Sequence, residues 1–293
     1  MSEGRIVKGI AGFYYVHDGV NLFECKAKGI LRNQKEKPLV GDLVTFDTVS
    51  LTDKTGNITG ILPRKSEFIR PAVANIDEIL LVFSGSVPSP NFEMLNRYLA
   101  SVSDYEVPVR LVVTKADLCD KNVFSEISEN FKNIGSPIHF VSSKTGEGME
   151  ELSEALTGKI SVLAGPSGVG KSSLINGLFG RDLMEVGELS RKIERGKNTT
   201  RHAELFFLRE NTYILDTPGF TSVDFDSVSP ENLGLCFPEF LPHLVHCKFS
   251  SCTHMREPGC AVRNAVESGA IAAIRYKSYV NMYTHLNSLR RYS

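Results

Sequence analysis

The chain has 293 residues, 42% of them hydrophobic and 23% charged, with a formal net charge of -1. This length points to two or three domains of ordinary globular composition. No apolar run approaches the roughly 18 residues of a membrane span, and Met1 to Gly12 lacks the apolar stretch of a secretion signal, so a cytoplasmic protein without a membrane partner is expected. The near-neutral total hides an asymmetry: residues 1–65 and 230–293 are each +3, and the middle is -7. Mildly basic flanks are compatible with a nucleic-acid partner, and equally with an ordinary solvated surface.

Residues 1–65 predict five short strands, Arg5–Ile10, Gly12–His17, Asn21–Ala27, Asp42–Asp47 and Gly56–Ile61, rich in Val, Ile, Phe and Tyr and punctuated by Gly or Asp. Five strands in this length suit a small barrel, of which the OB-fold is the commonest; a generic β-domain without a binding role fits the same pattern.

Residues 66–229 alternate strands (Glu78–Phe83, Val109–Thr114, Ile138–Ser142, Ile160–Ala164, Thr212–Leu215) with helices (Asn91–Ser103, Asn122–Asn133, Gly148–Leu156, Lys171–Leu178). That rhythm predicts an α/β domain with a parallel sheet covered on both faces. Within it, Gly165, Pro166, Ser167, Gly168, Val169, Gly170, Lys171 and Ser172 match G-x-x-x-x-G-K-[ST] between a buried strand and a helix that continues through Ser173. The glycines let backbone N–H groups wrap phosphate oxygens. Lys171 places a charge on the β- and γ-phosphates, and Ser172 offers a hydroxyl to Mg²⁺.

Base choice rests on other residues. Thr114, Lys115, Ala116 and Asp117, at a strand end, resemble the N-K-x-D guanine motif with Thr in place of the usual Asn. A carboxylate there accepts from both N1–H and the N2 amino group of guanine, a pair that adenine lacks. Ser142, Ser143 and Lys144, at another strand end, resemble the second guanine loop. Asp216 and Gly219 form a D-x-x-G after strand Thr212–Leu215, suited to Mg²⁺ and the γ-phosphate. Thr199 and Thr200 lie where a switch threonine is expected, Thr200 being preferred. The guanine loops precede the phosphate loop, the reverse of the ordinary order. Cutting and rejoining a domain whose termini lie close gives that order without altering the site.

Residues 230–293 show no strand pattern. A short helix is expected at Glu231–Leu235, and longer ones at Ala261–Ala273 and Arg275–Leu289. Between them, Cys247, Cys252, His254 and Cys260 offer three thiolates and an imidazole within one loop, a closed set suited to one structural Zn²⁺.

Together these motifs resemble the ribosome small subunit-dependent GTPase A family over essentially the whole chain. The resemblance implies an N-terminal OB-fold RNA-binding domain at 1–65, a circularly permuted P-loop GTPase domain at 66–229 and a mostly helical zinc-binding domain at 230–293. It further implies a monomer that binds GTP or GDP with Mg²⁺ and acts late in maturation of the small (30S) ribosomal subunit on its 16S rRNA, with hydrolysis stimulated by the subunit. Two residues depart from expectation. Phe220 stands where Ras-like enzymes carry the water-orienting Gln. Asn198 stands where the resembled family often has His; its amide hydrogen-bonds water but is no base near neutral pH. A GTP-binding placement factor with negligible hydrolysis is therefore the alternative.

Overall fold

The first five strands of the computed structural model close on themselves. They are β1 (Ser2–Ile10), β2 (Phe13–His17), β3 (Leu22–Ala27), β4 (Leu43–Ser50) and β5 (Thr55–Ile61). The structure describes residues 2–28, 37–68, 72–105, 107–180, 203–216 and 228–290. Pairing runs β1-β2-β3-β5-β4 and returns from β4 to β1, with only β3–β5 parallel. This is the five-stranded OB barrel. Alternate residues enter it: Ile6, Val16, Phe23, Val44, Phe46 and Ile58 are buried, as the two-residue period of a strand requires. Gly4 is needed because a Cβ there would lie 2.6 Å from Val16 Cγ1.

A short pair, β6 (Glu67–Phe68) and β7 (Val73–Ala74), leads into the central sheet. That sheet comprises β8 (Glu78–Ser84), β9 (Val109–Thr114), β10 (Ile138–Phe140), β11 (Ile160–Ala164), β12 (Glu204–Arg209) and β13 (Thr212–Asp216). Its order is β10-β9-β8-β11-β13-β12, parallel except for the antiparallel β12. β8 and β11 are buried along their length, and mostly apolar, because the sheet is covered on both sides. On one face α1 (Phe92–Val102) and α2 (Lys121–Phe131) supply Leu95, Leu99, Ile127 and Phe131. On the other, α3 (Met149–Ala155) and α4 (Lys171–Phe179) supply Leu152, Leu174 and Ile175. Asn91 and Asp120 cap α1 and α2 through their side chains.

The apolar cluster on the first face is continuous with the barrel interior. It runs from Ile6, Val16 and Phe46 through Phe68, Val73 and Ile76 to Ile79, Leu81, Leu111 and Val162.

The C-terminal part is helical: turns at Leu233–Cys236 and Pro238–Phe240, then α5 (Leu241–Leu244), α6 (Ala261–Glu267) and α7 (Ala273–Arg290). Its own core includes Leu233, Phe237, Phe240, Val262, Tyr279 and Met282. The short helix expected at Glu231–Leu235 is a four-residue 3-10 turn that starts two residues later. The helix expected at Ala261–Ala273 ends at Glu267, where Gly269 takes a φ of 77°, the left-handed turn that closes a helix. β12 was not expected: it breaks the alternation of strand and helix that marks its neighbours.

Candidate active site and metal centre

The expected loops gather at the carboxyl ends of the parallel strands, where open α/β sheets bind ligands. β11 runs into Gly165. Its φ is 131°, and a Cβ would meet Val82 O at 2.1 Å, so only glycine lets the loop lie against β8. Gly168 and Gly170 also take positive φ, 78° and 98°. The chain thus curls before α4 begins at Lys171, leaving the first-turn amides of α4 without helical acceptors. Lys171 Nζ lies within the curl and donates to Gly165 O at 2.8 Å and Pro166 O at 2.6 Å. Lys171 and Ser172 are buried, whereas Ser167 and Gly168 form an exposed crest.

The two guanine-type loops are tied to this curl and to each other. The Thr114 hydroxyl lies within reach of Phe83 O, at 3.2 Å, and of Val169 O in the phosphate loop. Threonine in place of Asn thus keeps a bridge to the loop. Lys115, at a left-handed φ of 58°, sends its ammonium to Val87 O and to Gly168 O, the latter at 3.3 Å. Ala116 N–H donates to Val141 O at 3.1 Å, which seats this loop on the start of the next one. Asp117 is half-buried rather than buried, and its Oδ1 accepts from the Ser142 hydroxyl at 2.7 Å. Ser142 Oγ in turn accepts from the Lys144 and Thr145 N–H groups, at 3.3 and 3.2 Å. Ser142 is buried; Ser143 and Lys144 are exposed at the rim. One hydroxyl therefore orients the carboxylate and shapes the second loop, a role that sequence reasoning did not assign to it.

Asp216 ends β13, the parallel neighbour of β11. A hydroxyl at Ser172 and a carboxylate at Asp216 are hard oxygen donors, the chemistry Mg²⁺ selects. Asn198, Thr199, Thr200, Gly219 and Phe220 lie outside the described residues.

The second constellation is in the C-terminal part. The ligand atoms of Cys247, Cys252, His254 and Cys260 all lie within 4.8 Å of one another. His254 Nδ1 is 3.6 Å from Cys247 Sγ and 3.4 Å from Cys260 Sγ. A tetrahedron with Zn–S and Zn–N bonds of ~2.3 and ~2.0 Å has N···S edges of about 3.5 Å, so the residues fit that ion. The loop is braced by groups that sequence reasoning missed. Glu257 accepts from the Thr253 N–H at 2.9 Å and hydroxyl at 2.5 Å, and from Met255 and Arg256 N–H at 3.0 Å each. Partial burial raises this carboxyl, but those bonds outweigh it and hold the pKa at about 2. Tyr276 and Tyr279 hydroxyls donate to His254 O and Thr253 O, at 2.7 and 2.8 Å, docking the loop on α7. His254 itself has a φ of 58°, which the brace sustains.

A phosphate loop, a tethered pair of guanine-type loops placed before it in the chain, and a parallel sheet beneath them define a circularly permuted P-loop GTPase. The family model described as RsgA GTPase matches residues 61–226, and that of the RsgA N-terminal domain matches residues 3–58. The chain belongs to the RsgA GTPase family. It is 44% identical, over 99% of both chains, to the small ribosomal subunit biogenesis GTPase RsgA of Agathobacter rectalis, and 41% identical over the full length of both to that of Alkaliphilus metalliredigens. Among solved structures it is similar to YjeQ from Thermotoga maritima, with a TM-score of 0.81 and 35% identity over 97% of this chain and 98% of that one. It is also similar to YloQ, a circularly permuted GTPase, with a TM-score of 0.79 and 34% identity over 98% and 96%. The protein is an enzyme that hydrolyses GTP. No helix among the described residues is long and apolar enough to cross a membrane.

Proposed function

We propose that this chain is a cytoplasmic, monomeric GTPase of small-ribosomal-subunit maturation, with 16S rRNA as its docking surface and the subunit as its activator. The observation that carries the reading is similarity to small ribosomal subunit biogenesis GTPases over 99% or more of both chains. In this reading residues 1–65 and 230–293, the two mildly basic ends, hold RNA, and residues 66–229 sense the nucleotide.

The residue roles follow from chemistry. Amides of Gly165 to Ser173 wrap the phosphates, and Lys171 leaves its carbonyl partners for the β- and γ-oxygens. Ser172, Thr200 and Asp216 serve Mg²⁺, directly or through water, and Gly219 N–H meets the γ-phosphate. When bound, the ion would supply charge neutralisation to the phosphates. Asp117 reads N1–H and N2 of guanine, with Lys115 along the base and the Ser142–Lys144 loop at O6. Cys247, Cys252, His254 and Cys260 hold one structural Zn²⁺ that fixes the C-terminal loop.

Hydrolysis adds water to the γ-phosphorus and releases GDP and phosphate. Phosphoryl transfer depends mostly on positioning and electrostatics, so a site without the usual Gln is slow rather than inert. On the subunit, Asn198 or a backbone group positions the attacking water. The test is GTP turnover by the purified protein alone, with small subunits, and with large subunits. Slow turnover alone, rising at least about tenfold with small subunits only, is expected. Equal rates in all three would overturn the activation. Tight GTP-dependent subunit binding with no turnover in any mixture would favour a placement factor.

A further inference from the structure

The barrel and the sheet share one lateral row of backbone partners. Lys8 of β1 lies opposite Glu204 of β12, and Glu204 lies opposite Asp216 of β13. Side chains join the first step: Lys8 Nζ is 2.9 Å from Glu204 Oε2. Asp216 is the last residue of its strand, and β13 is the immediate neighbour of the strand that feeds the phosphate loop. A barrel residue thus stands two cross-strand steps from the residue read above as serving Mg²⁺.

The hairpin is gripped a second time, three residues before Asp216 on the same strand. His17 Nδ1 is 3.1 Å from the Tyr213 hydroxyl, and the Arg5 guanidinium lies 5.5 Å from the Tyr213 ring centre. The Phe207 ring of β12 lies 4.4 Å from that of His17. The strands that meet at the junction are each irregular against their other neighbour, β1 against β2 between Ile6 and Lys8 and β12 against β13 between Phe207 and Arg209. Bulges of this kind re-aim a side chain and bend a strand. Hydrogen-bonded strands cannot shift singly, so a tilt of the barrel carries β12, and β12 carries the end of β13.

We infer that Glu204, held by Lys8, is a positioning residue for Asp216, so that the seating of the barrel sets the Mg²⁺ requirement of the nucleotide site. The inference rests on the reading of Asp216 as the Mg²⁺ residue. Lys8 and Glu204 are 31% and 39% exposed, and such pairs add little to stability. Their removal therefore separates a positioning role from a merely structural one.

The experiment measures the Mg²⁺ dependence of release of a fluorescent GDP, together with the thermal midpoint. It uses the full chain, Lys8→Glu, Glu204→Lys, the Lys8→Glu/Glu204→Lys swap, Glu204→Gln and Asp216→Ala. Both single reversals are expected to raise the half-saturating Mg²⁺ about threefold to tenfold, the range of coupling through a packed network. Glu204→Gln should shift it less in the same direction, and the swap should return it towards the parent. Midpoints should stay close to the parent value throughout. Simple through-space charge makes a different demand: Lys8→Glu would lower the Mg²⁺ requirement while Glu204→Lys raised it. Opposite shifts of that kind, unshifted single variants, or a swap as shifted as the singles would each overturn the inference. An unshifted Asp216→Ala would overturn the reading of Asp216 and this inference with it. A shifted Asp216→Ala beside an unshifted Glu204→Lys would overturn the positioning role alone.

Discussion

Among the described residues, the Asp117 carboxylate is held by one hydroxyl, that of Ser142, which donates to Oδ1 at 2.7 Å. That leaves the outer edge of the group to meet two donors of guanine side by side. Asp117→Asn replaces an acceptor-only group with one that also donates. It is expected to lose at least about a hundredfold in GTP affinity, because the site would oppose donor to donor, and to gain affinity for XTP, whose base carries an oxygen where guanine has its amino group. Competition of GTP and XTP for a fluorescent nucleotide measures both; unchanged preference would remove Asp117 from the base site. The motif itself was legible from T-K-A-D at a strand end. What the spacing did not disclose is the work of Thr114. Its hydroxyl has one hydrogen for two carbonyls, Phe83 O and Val169 O, where an Asn amide would offer two. Glu257 was invisible for a plainer reason. A lone glutamate carries no spacing signal, and only the folded loop brings four donors to it.

At the scale of strands and loops, the end of the sheet opposite the site holds a buried polar group. Glu78 accepts from Arg110 Nη2 at 3.1 Å, Lys159 Nζ at 3.1 Å and the Ser161 hydroxyl at 3.1 Å. Arg110 Nη1 also donates to His139 Nε2 at 2.8 Å, so that nitrogen must be unprotonated in the fold. Burial, and then the Arg110 charge, lowers the His139 pKa below its ordinary value. The unfolded chain therefore takes up this proton first: stability is complete above about pH 6.5 and declines as the pH falls below it, towards the folded value. His17, lowered by burial, acts in the same sense. The thermal midpoint is expected to drop between pH 7.5 and 5.5, and His139→Gln, which accepts from Arg110 without titrating, should flatten that slope. The strands themselves were readable because β8, β9 and β11 are apolar runs between turn residues. β12 was not, because only a two-residue turn separates Glu204–Arg209 from β13, with no helix between them, and the two pair antiparallel. The Cys/His loop was readable from spacing, and its chemistry carries a further expectation. Cys252→Ser, or a chelator, should release about one zinc per chain and loosen residues 230–290, because metal binding and local folding are linked. Unchanged thermal behaviour with the metal removed would refute a structural ion.

Across the whole molecule, a buried polar network helps to fasten the C-terminal part to the GTPase domain. Arg275 is 1% exposed. It donates to Glu239 through Nε at 2.5 Å and Nη2 at 3.0 Å, and to Asn96 Oδ1 on α1 at 2.5 Å. Asn96 also donates to Ser278 Oγ at 2.7 Å, and the guanidinium lies 4.6 Å from the Phe237 ring centre. Glu239→Ala would leave a buried cation without its partner, at a cost of about 3–5 kcal/mol. A thermal melt should show that loss, and Arg275→Met in the same background should recover much of it by removing the orphaned charge. The barrel is attached differently, by the unbroken apolar cluster that passes from Ile6 and Phe46 through Phe68 and Ile76 to Leu81 and Val162. A tethered reader can be grafted; a shared core cannot. Exchanging residues 1–65 with those of a relative should leave mismatched volumes around Phe68, Val73 and Ile76 unless the residues they touch travel with them. Such hybrids should precipitate or melt early even when each half comes from a stable parent. A substitution on one side of that junction is then expected to need an answering one on the other.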